Sequence, residues 1–321
     1  MIDLNELELK RMAWRNQTNL PKKQHQSQLT ANSWYRLVNY ELVKKWKKLV
    51  KSKLKALQSW YDMTFFQFDR GKLEFALTKL GIKTGDTVFV HSSFDAFRGF
   101  KGKPTDIIQM LKSLVGMNGV IMLPTMAITT TAVDYALENP IVDLKRTQSR
   151  MGLITELFRR TPGVFRSLHP THPIAVWGND AQAIVADHHL AKTPCGFPSP
   201  LYQLYERDGK ILLLGTGIEV LTFFHTVEEI LEHKLSVNPF TENSFDLQVK
   251  DEKGQLWDCH TRLYEPSVSR RRRLYPLLNE LKRMQALNEC RVGKLHIQVF
   301  PAKDVLKAVQ HLIDRGISCY E

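Results

Sequence analysis

No stretch of the 321 residues approaches the roughly 20 consecutive apolar positions that a membrane-spanning helix needs, so the chain does not read as an integral membrane protein. Cysteine is scarce. Cys195, Cys259, Cys290 and Cys319 are scattered without a CxxC pair, which argues against a disulfide framework and against a zinc knuckle. HExxH and HxxEH are both absent, and although His225, Glu229 and His233 share one helical stripe, no metal is expected. Met1–Arg15 lacks an apolar core and mixes Asp3, Glu6 and Glu8 with Lys10 and Arg11, so a secretory signal is not expected there and the protein is read as cytoplasmic. Acidic residues are few in one region only: residues 1–57 hold 13 Lys/Arg against four Asp/Glu, which is nine of the chain's net charge of +12. The remainder is near neutral, and a nucleic-acid partner is not expected from the overall charge.

Two regions follow from this asymmetry. Residues 1–68 read as a basic N-terminal extension, polar at first and then an amphipathic helix over 33–57. Trp34, Val38, Leu42, Trp46 and Leu49 recur at spacings of three or four, bordered by Lys44, Lys45, Lys47, Lys48, Lys51, Lys53 and Lys55. Such a helix either contacts an anionic membrane surface or packs its apolar face on protein. Residues 69–321 read as the catalytic domain. Helical stretches at 70–80, 105–114, 151–160, 181–188, 200–205 and 222–233 alternate with apolar, β-branched runs at 87–90, 119–123, 174–177 and 210–214. The alternation predicts a three-layer α/β/α sandwich with a sheet covered on both faces. Alternating β-type residues over 245–261, broken by DEKG, predict an antiparallel hairpin.

Three places carry chemistry. His91-Ser92-Ser93 and Pro124-Thr125 fall at the carboxyl ends of expected strands, where ligands of α/β sheets gather; alone, HSS is a weak motif. RSLHPTHP, Arg166 to Pro173, holds two histidines between prolines that restrict the backbone. His169 is read as a general base and His172 as a turn residue. HTVEEILEH, His225 to His233, begins a helix on which His225 and Glu228 share a face. Glu228 is a carboxylate able to orient His169, while Glu229 and Glu232 read as a solvated face. Cys195, in the Pro/Gly loop TPCGFPSP, is read as an ordinary loop cysteine and not as a nucleophile.

The ordered set GDTVFVHSSF, GVIMLPT, SRMGLITELFRRTPGVFRSLHPTHPIAVWG, GFPSPLYQLYERDGKILLLG and TFFHTVEE resembles the aminoglycoside 3-N-acetyltransferase family. The resemblance runs from about Asp69 to the end of the chain. It implies an α/β/α fold with a central mixed sheet and acetyl-CoA as donor co-substrate. It implies that His91, Ser92 and Ser93 contact CoA, with Ser149, Met151 and Gly152 along the same cleft. His169 would be the catalytic base supported by Glu228, and Asp143 and His225 would meet the acceptor. Pro173 stands where family members often have serine, and the substrate-facing stretch 126–140 has only Asp134 and Glu138 as acids. The implied activity is acetyl transfer to an amine of an aminoglycoside or a related amino sugar. The alternatives are a biosynthetic or surface-polysaccharide amino sugar as acceptor, or a non-catalytic binding protein of this fold. Peripheral contact with the inner face of the membrane, through residues 33–57, is a further expectation.

Overall fold

The computed structural model describes residues 31–321, with side chains from Leu42 onward; the expectations for 1–30, and for the side chains of Trp34 and Val38, lie outside the described residues. Two compact units are distinguished, up to Leu57 and Gln58–Glu321. A helix spans Ala31–Phe65, longer than the expected 33–57. Among the described residues no helix is long and apolar enough to cross a membrane.

The strands of Gln58–Glu321 are, in chain order, β1 Thr87–Ser92, β2 Val120–Pro124, β3 Ile141–Asp143, β4 Val164–Arg166, β5 Ile174–Gly178, β6 Lys210–Leu214, β7 Phe240–Lys250, β8 Leu256–Tyr264, β9 Asn288–Val292 and β10 Leu295–Pro301. A seven-stranded sheet runs in the order β4-β5-β2-β1-β6-β10-β9. β1 is parallel to β2 and β6, whereas the β2/β5, β4/β5, β6/β10 and β9/β10 pairs are antiparallel, so the sheet is mixed. The side-chain period of two sends successive residues to opposite faces. Phe89, Ile211 and Leu213 enter an apolar core with helices 181–186, 200–206, 224–230, 275–283 and 302–314. Val88, Val90, Leu212 and Leu214 enter a second core with helices 70–79, 104–115 and 153–158. Strands buried on both faces are the continuous apolar runs seen in the sequence, and the helices of these two cores are the outer layers of the sandwich.

Three features depart from simple alternation. β5 runs against β2, because the chain re-enters the sheet through β4 and a short return, a β-hairpin around RSLHPTHP. β9 and β10 add a second antiparallel edge that the spacing of the sequence does not predict. A separate sheet, ordered β3-β7-β8, consists of β3 and the long β7–β8 hairpin. The hairpin turn is closed by Asp251, whose carboxylate accepts the amides of Lys253 at 2.9 Å and Gln255 at 2.8 Å.

Gly178 ends β5 opposite Val120. Its φ of 116° suits glycine, and an added Cβ would collide with the Gly119 carbonyl on the neighbouring chain segment. Gly178→Ala is therefore expected to destabilise the domain by roughly 1–3 kcal/mol. The urea midpoint followed by circular dichroism checks this; an unchanged midpoint would show that the β2/β5 edge relaxes freely.

Candidate active site

The carboxyl ends of the parallel strands β2, β1 and β6 form one edge, the place where open α/β sheets bind ligands. A cavity of about 530 Å³ opens there, lined among others by His91, Ser92, Ser93, Met151, Gly152, Thr216 and Thr222. Five of the six residues expected at the CoA cleft thus line one cavity. Ser149 does not. Its hydroxyl pairs with Thr155 at 2.8 Å and accepts the Met151 amide at 3.2 Å, so it braces the turn that carries Met151. The hydroxyls of Ser92 and Thr216 are buried in the cavity wall without a hydrogen-bond partner. Buried polar groups are normally paired, so two unpartnered hydroxyls on residues of one cavity lining mark this wall as unusual. His91 sits beside them as a neutral ring. Burial pushes its pKa down to about 3, and its Nε2 accepts the Thr222 amide at 3.3 Å.

Because β5 is reversed, its first residue lies at the same edge: Ile174 pairs with Pro124, and the Thr125 amide donates to the Pro173 carbonyl at 2.9 Å. The loop Ser167–Pro173 is thereby brought to the strand ends. Arg166 fixes it from behind, donating through Nε to the Thr125 hydroxyl at 3.0 Å and through Nη1 to the carbonyls of Leu144 and Thr147 at 2.7 and 2.8 Å.

The loop does not present His169 as expected. His169 is fully buried, its Nδ1 accepts the amides of Thr171 at 3.3 Å and His172 at 3.2 Å, and its Nε2 meets no partner. A ring whose accepting nitrogen is occupied carries its proton on the other nitrogen. His169 thus has no free lone pair for a base. Its ring lies 4.7 Å from that of His188, which bridges the Ser167 hydroxyl and the Pro194 carbonyl at 2.7 and 2.8 Å. This histidine cluster is part of the packing.

Glu228 does not reach His169 either; its carboxylate is taken up elsewhere. Glu228 lies one turn along the helix Phe224–Ile230 and accepts from His225 Nδ1 at 2.7 Å. It also accepts Arg272 Nη2 at 2.8 and 3.1 Å, Arg272 Nε at 3.2 Å, and the Tyr320 hydroxyl. Burial works to raise the Glu228 pKa, but the charges of His225 and Arg272 and the hydrogen bonds outweigh it and hold the carboxyl below its usual range. With Nδ1–H committed to the carboxylate, His225 keeps its lone pair on Nε2. Burial first, then the Arg272 charge, push the His225 pKa down against the opposing pull of Glu228. The imidazole is stacked on Tyr264 at 3.8 Å between centroids, and its side chain is 14% exposed, enough to be reached from outside. It lines a second cleft of about 280 Å³ together with Thr130, Thr131, His172, Ser269, Arg270 and Arg272.

Other expected residues fall differently. Asp143 ends β3 and accepts the Arg146 amide at 3.1 Å, with Lys250 at 4.0 Å; it is a turn residue and lines neither cavity. Glu229 is not on a solvated face. Its carboxylate accepts the hydroxyls of Thr193 and, at 3.3 Å, Tyr264, and burial pushes its pKa up to about 7. Cys195 is buried, and burial drives its thiol far above the range of a nucleophilic thiolate. Arg272, Tyr264 and Tyr320 are site residues that the sequence reading missed; only the run Arg270–Arg273 offered a signal, and it carries no periodicity that would single out Arg272.

Residues 89–314 match the family model described as aminoglycoside 3-N-acetyltransferase. Aminoglycoside N(3)-acetyltransferase VII of Streptomyces paromomycinus is 33% identical over 176 residues, covering 51% of this chain and 61% of that protein, or about three fifths of the relative's length. The crystal structure of aminoglycoside acetyltransferase AAC(3)-Xa superposes with a TM-score of 0.68 at 20% identity, over 82% of this chain and 99% of that one. AAC-IIIb, solved as a binary complex with CoASH, gives 0.64 at 20% identity over 79% and 99% of the two chains. The family match extends across the strands, both cavities and the His225–Glu228 helix, and the chain belongs to the aminoglycoside 3-N-acetyltransferase family.

Proposed function

We propose that this protein is a CoA-dependent N-acetyltransferase with His225 as general base. One observation carries the reading: His225 is locked to a buried carboxylate through Nδ1, while Nε2 is free beside a cleft, and the chain turn that holds it, Thr222–His225, also borders the cavity with the orphaned Ser92 and Thr216 hydroxyls. The family relationship and the CoA complex of AAC-IIIb support assigning that cavity to acetyl-CoA. Ser92, Ser93, Met151, Gly152 and Thr216 would hold the donor, which supplies the acyl thioester. An amino sugar, aminoglycoside or related, would enter the second cleft.

An amine near neutral pH is mostly protonated; its ammonium proton is lost to solvent first, and the neutral nitrogen is the nucleophile. His225 Nε2 accepts the proton that the nitrogen sheds as the C–N bond forms, and returns it to the sulfur as the C–S bond breaks, so the ring ends neutral. Glu228 stabilises the imidazolium in between. Tyr264 holds the plane of the ring. No thiol nucleophile is required, in keeping with the buried Cys195.

His225→Ala is expected to lower kcat by about 10²–10⁴ with acetyl-CoA binding retained. His169→Gln, folded as judged by circular dichroism, should keep most of its activity. Thiol release from acetyl-CoA in the presence of an amine acceptor measures both, and the reverse ranking would return the base to His169. Only neutral His225 accepts a proton, and its pKa lies below the usual 6.5. With the amine's own ionisation measured separately and divided out, the remaining acid limb of kcat/KM should therefore fall below pH 6.5; a remaining limb centred above 6.5 contradicts the assignment.

We also propose that the helix Ala31–Phe65 makes peripheral contact with anionic lipid. Leu42, Trp46, Leu49 and Leu54 are exposed, and exposed lysines such as Lys47, Lys48 and Lys51 border them. Full-length protein is expected to sediment with phosphatidylserine vesicles at low salt and a 1–60 deletion to remain in the supernatant. Equal behaviour of the two forms removes this role.

A further inference from the structure

The cleft over His225 has a charge that polycationic acceptors do not suit. Its lining includes two guanidinium groups, Arg270 and Arg272, and no carboxylate. Glu228 lies beneath it, but that charge is already matched by Arg272 and fully enclosed. The nearest other acids in sequence are engaged in local turns. Asp134 accepts the Thr131 hydroxyl at 2.7 Å, and Glu265 accepts the Ser267 amide and hydroxyl at 3.2 and 3.0 Å.

The neighbouring arginines are also committed. Arg271 donates to the main-chain oxygen of Glu321, and Arg273 pairs with the Glu321 carboxylate at 2.9 Å. Arg270 differs. Its side chain is exposed and has no ion-pair or hydrogen-bond partner among the described residues, while its backbone is pinned by its amide to the Pro266 carbonyl and by Arg273 Nη1 on its own carbonyl at 3.1 Å. A guanidinium fixed at its root, unmatched, and set beside the base is suited to a planar or tetrahedral oxyanion, which it binds through two parallel N–H donors. Hydroxyls of Thr130 and Ser269 in the same lining add donors.

We infer that the acceptor is an amine whose own molecule carries an oxyanion, a phosphate or carboxylate, held by Arg270 while the amine lies at His225 Nε2. This rests on the acetyltransferase reading and names the acceptor class within it. An acceptor with several ammonium groups would place like charge against the unmatched Arg270, with no free carboxylate in the lining to offset it, which disfavours binding.

The test uses the full chain saturated with CoA, at fixed ionic strength, and measures by calorimetry the binding of glucosamine, glucosamine 1-phosphate, glucosamine 6-phosphate and gentamicin. Turnover of the same four is followed separately with acetyl-CoA. At least one phosphate should bind ten-fold or more tightly than glucosamine and than gentamicin, and Arg270→Glu should erase that preference. The proposal is overturned if gentamicin binds most tightly, if neither phosphate exceeds glucosamine, or if Arg270→Glu keeps the preference. It is also overturned if that variant loses CoA affinity as much as acceptor affinity, which would give the arginine to the donor. A charge preference without turnover of any amine counts against acetyl transfer and not against the oxyanion site. Turnover with a preference for gentamicin does the opposite.

Discussion

The Glu228 carboxylate is enclosed away from water, and a charge in that position must be compensated by groups that stay in place. Three separate segments supply them: His225 from the same helix, Arg272 from the stretch that follows β8, and Tyr320 from beyond the helix Ala302–Asp314. Removing one partner of such a buried pair typically costs about 3–5 kcal/mol, since it leaves an unmatched charge. The carboxylate therefore ties the C-terminal part of the chain to the helix Phe224–Ile230 and, through the same bonds, sets the tautomer of His225.

The sheet determines which loops can reach that helix. Parallel strands β2, β1 and β6 bring His91, Ser92, Pro124 and Gly215 to one edge. The reversal of β5 adds the loop from Ser167 to Pro173 at that edge, where a parallel strand would have placed its N-terminal loop at the far end. His172 reaches the cleft over His225 by this route, its ring 5.7 Å from that of His225. Bringing so many imidazoles together buries them, and burial holds His91, His169, His172 and His188 neutral.

The two cavities differ in character. The cavity at the strand ends is walled by His91, Ser92 and Ser93 from the end of β1, Pro124 from the end of β2, and Met151 and Gly152. The cleft over His225 is walled by rings, threonines and arginines, the arginines contributed by the segment after the β7–β8 hairpin. The first is lined by residues between His91 and Thr222, and the second by residues from Ile128 to Arg272. Family membership thus shows the fold, and the proposed acceptor class rests on the Arg270 region.

Local spacing determined much of this protein. Apolar runs such as those around Phe89 and Leu212 specify strands buried on both faces, and HSS and Arg150-Met151-Gly152 are short enough that their place at one cavity follows from the strand they end or the helix they begin. The His225–Glu228 proximity is likewise a property of one helical turn. What the tertiary structure decided was which histidine has a usable lone pair. His169 and His225 are equally plausible as residue types, but the former has its accepting nitrogen filled by two backbone amides inside the packed hairpin, and the latter faces a cleft. Arg272 and Tyr320 lie 44 and 92 positions from Glu228. No periodicity links residues so far apart, because only the folding of the chain around a buried charge brings them into contact.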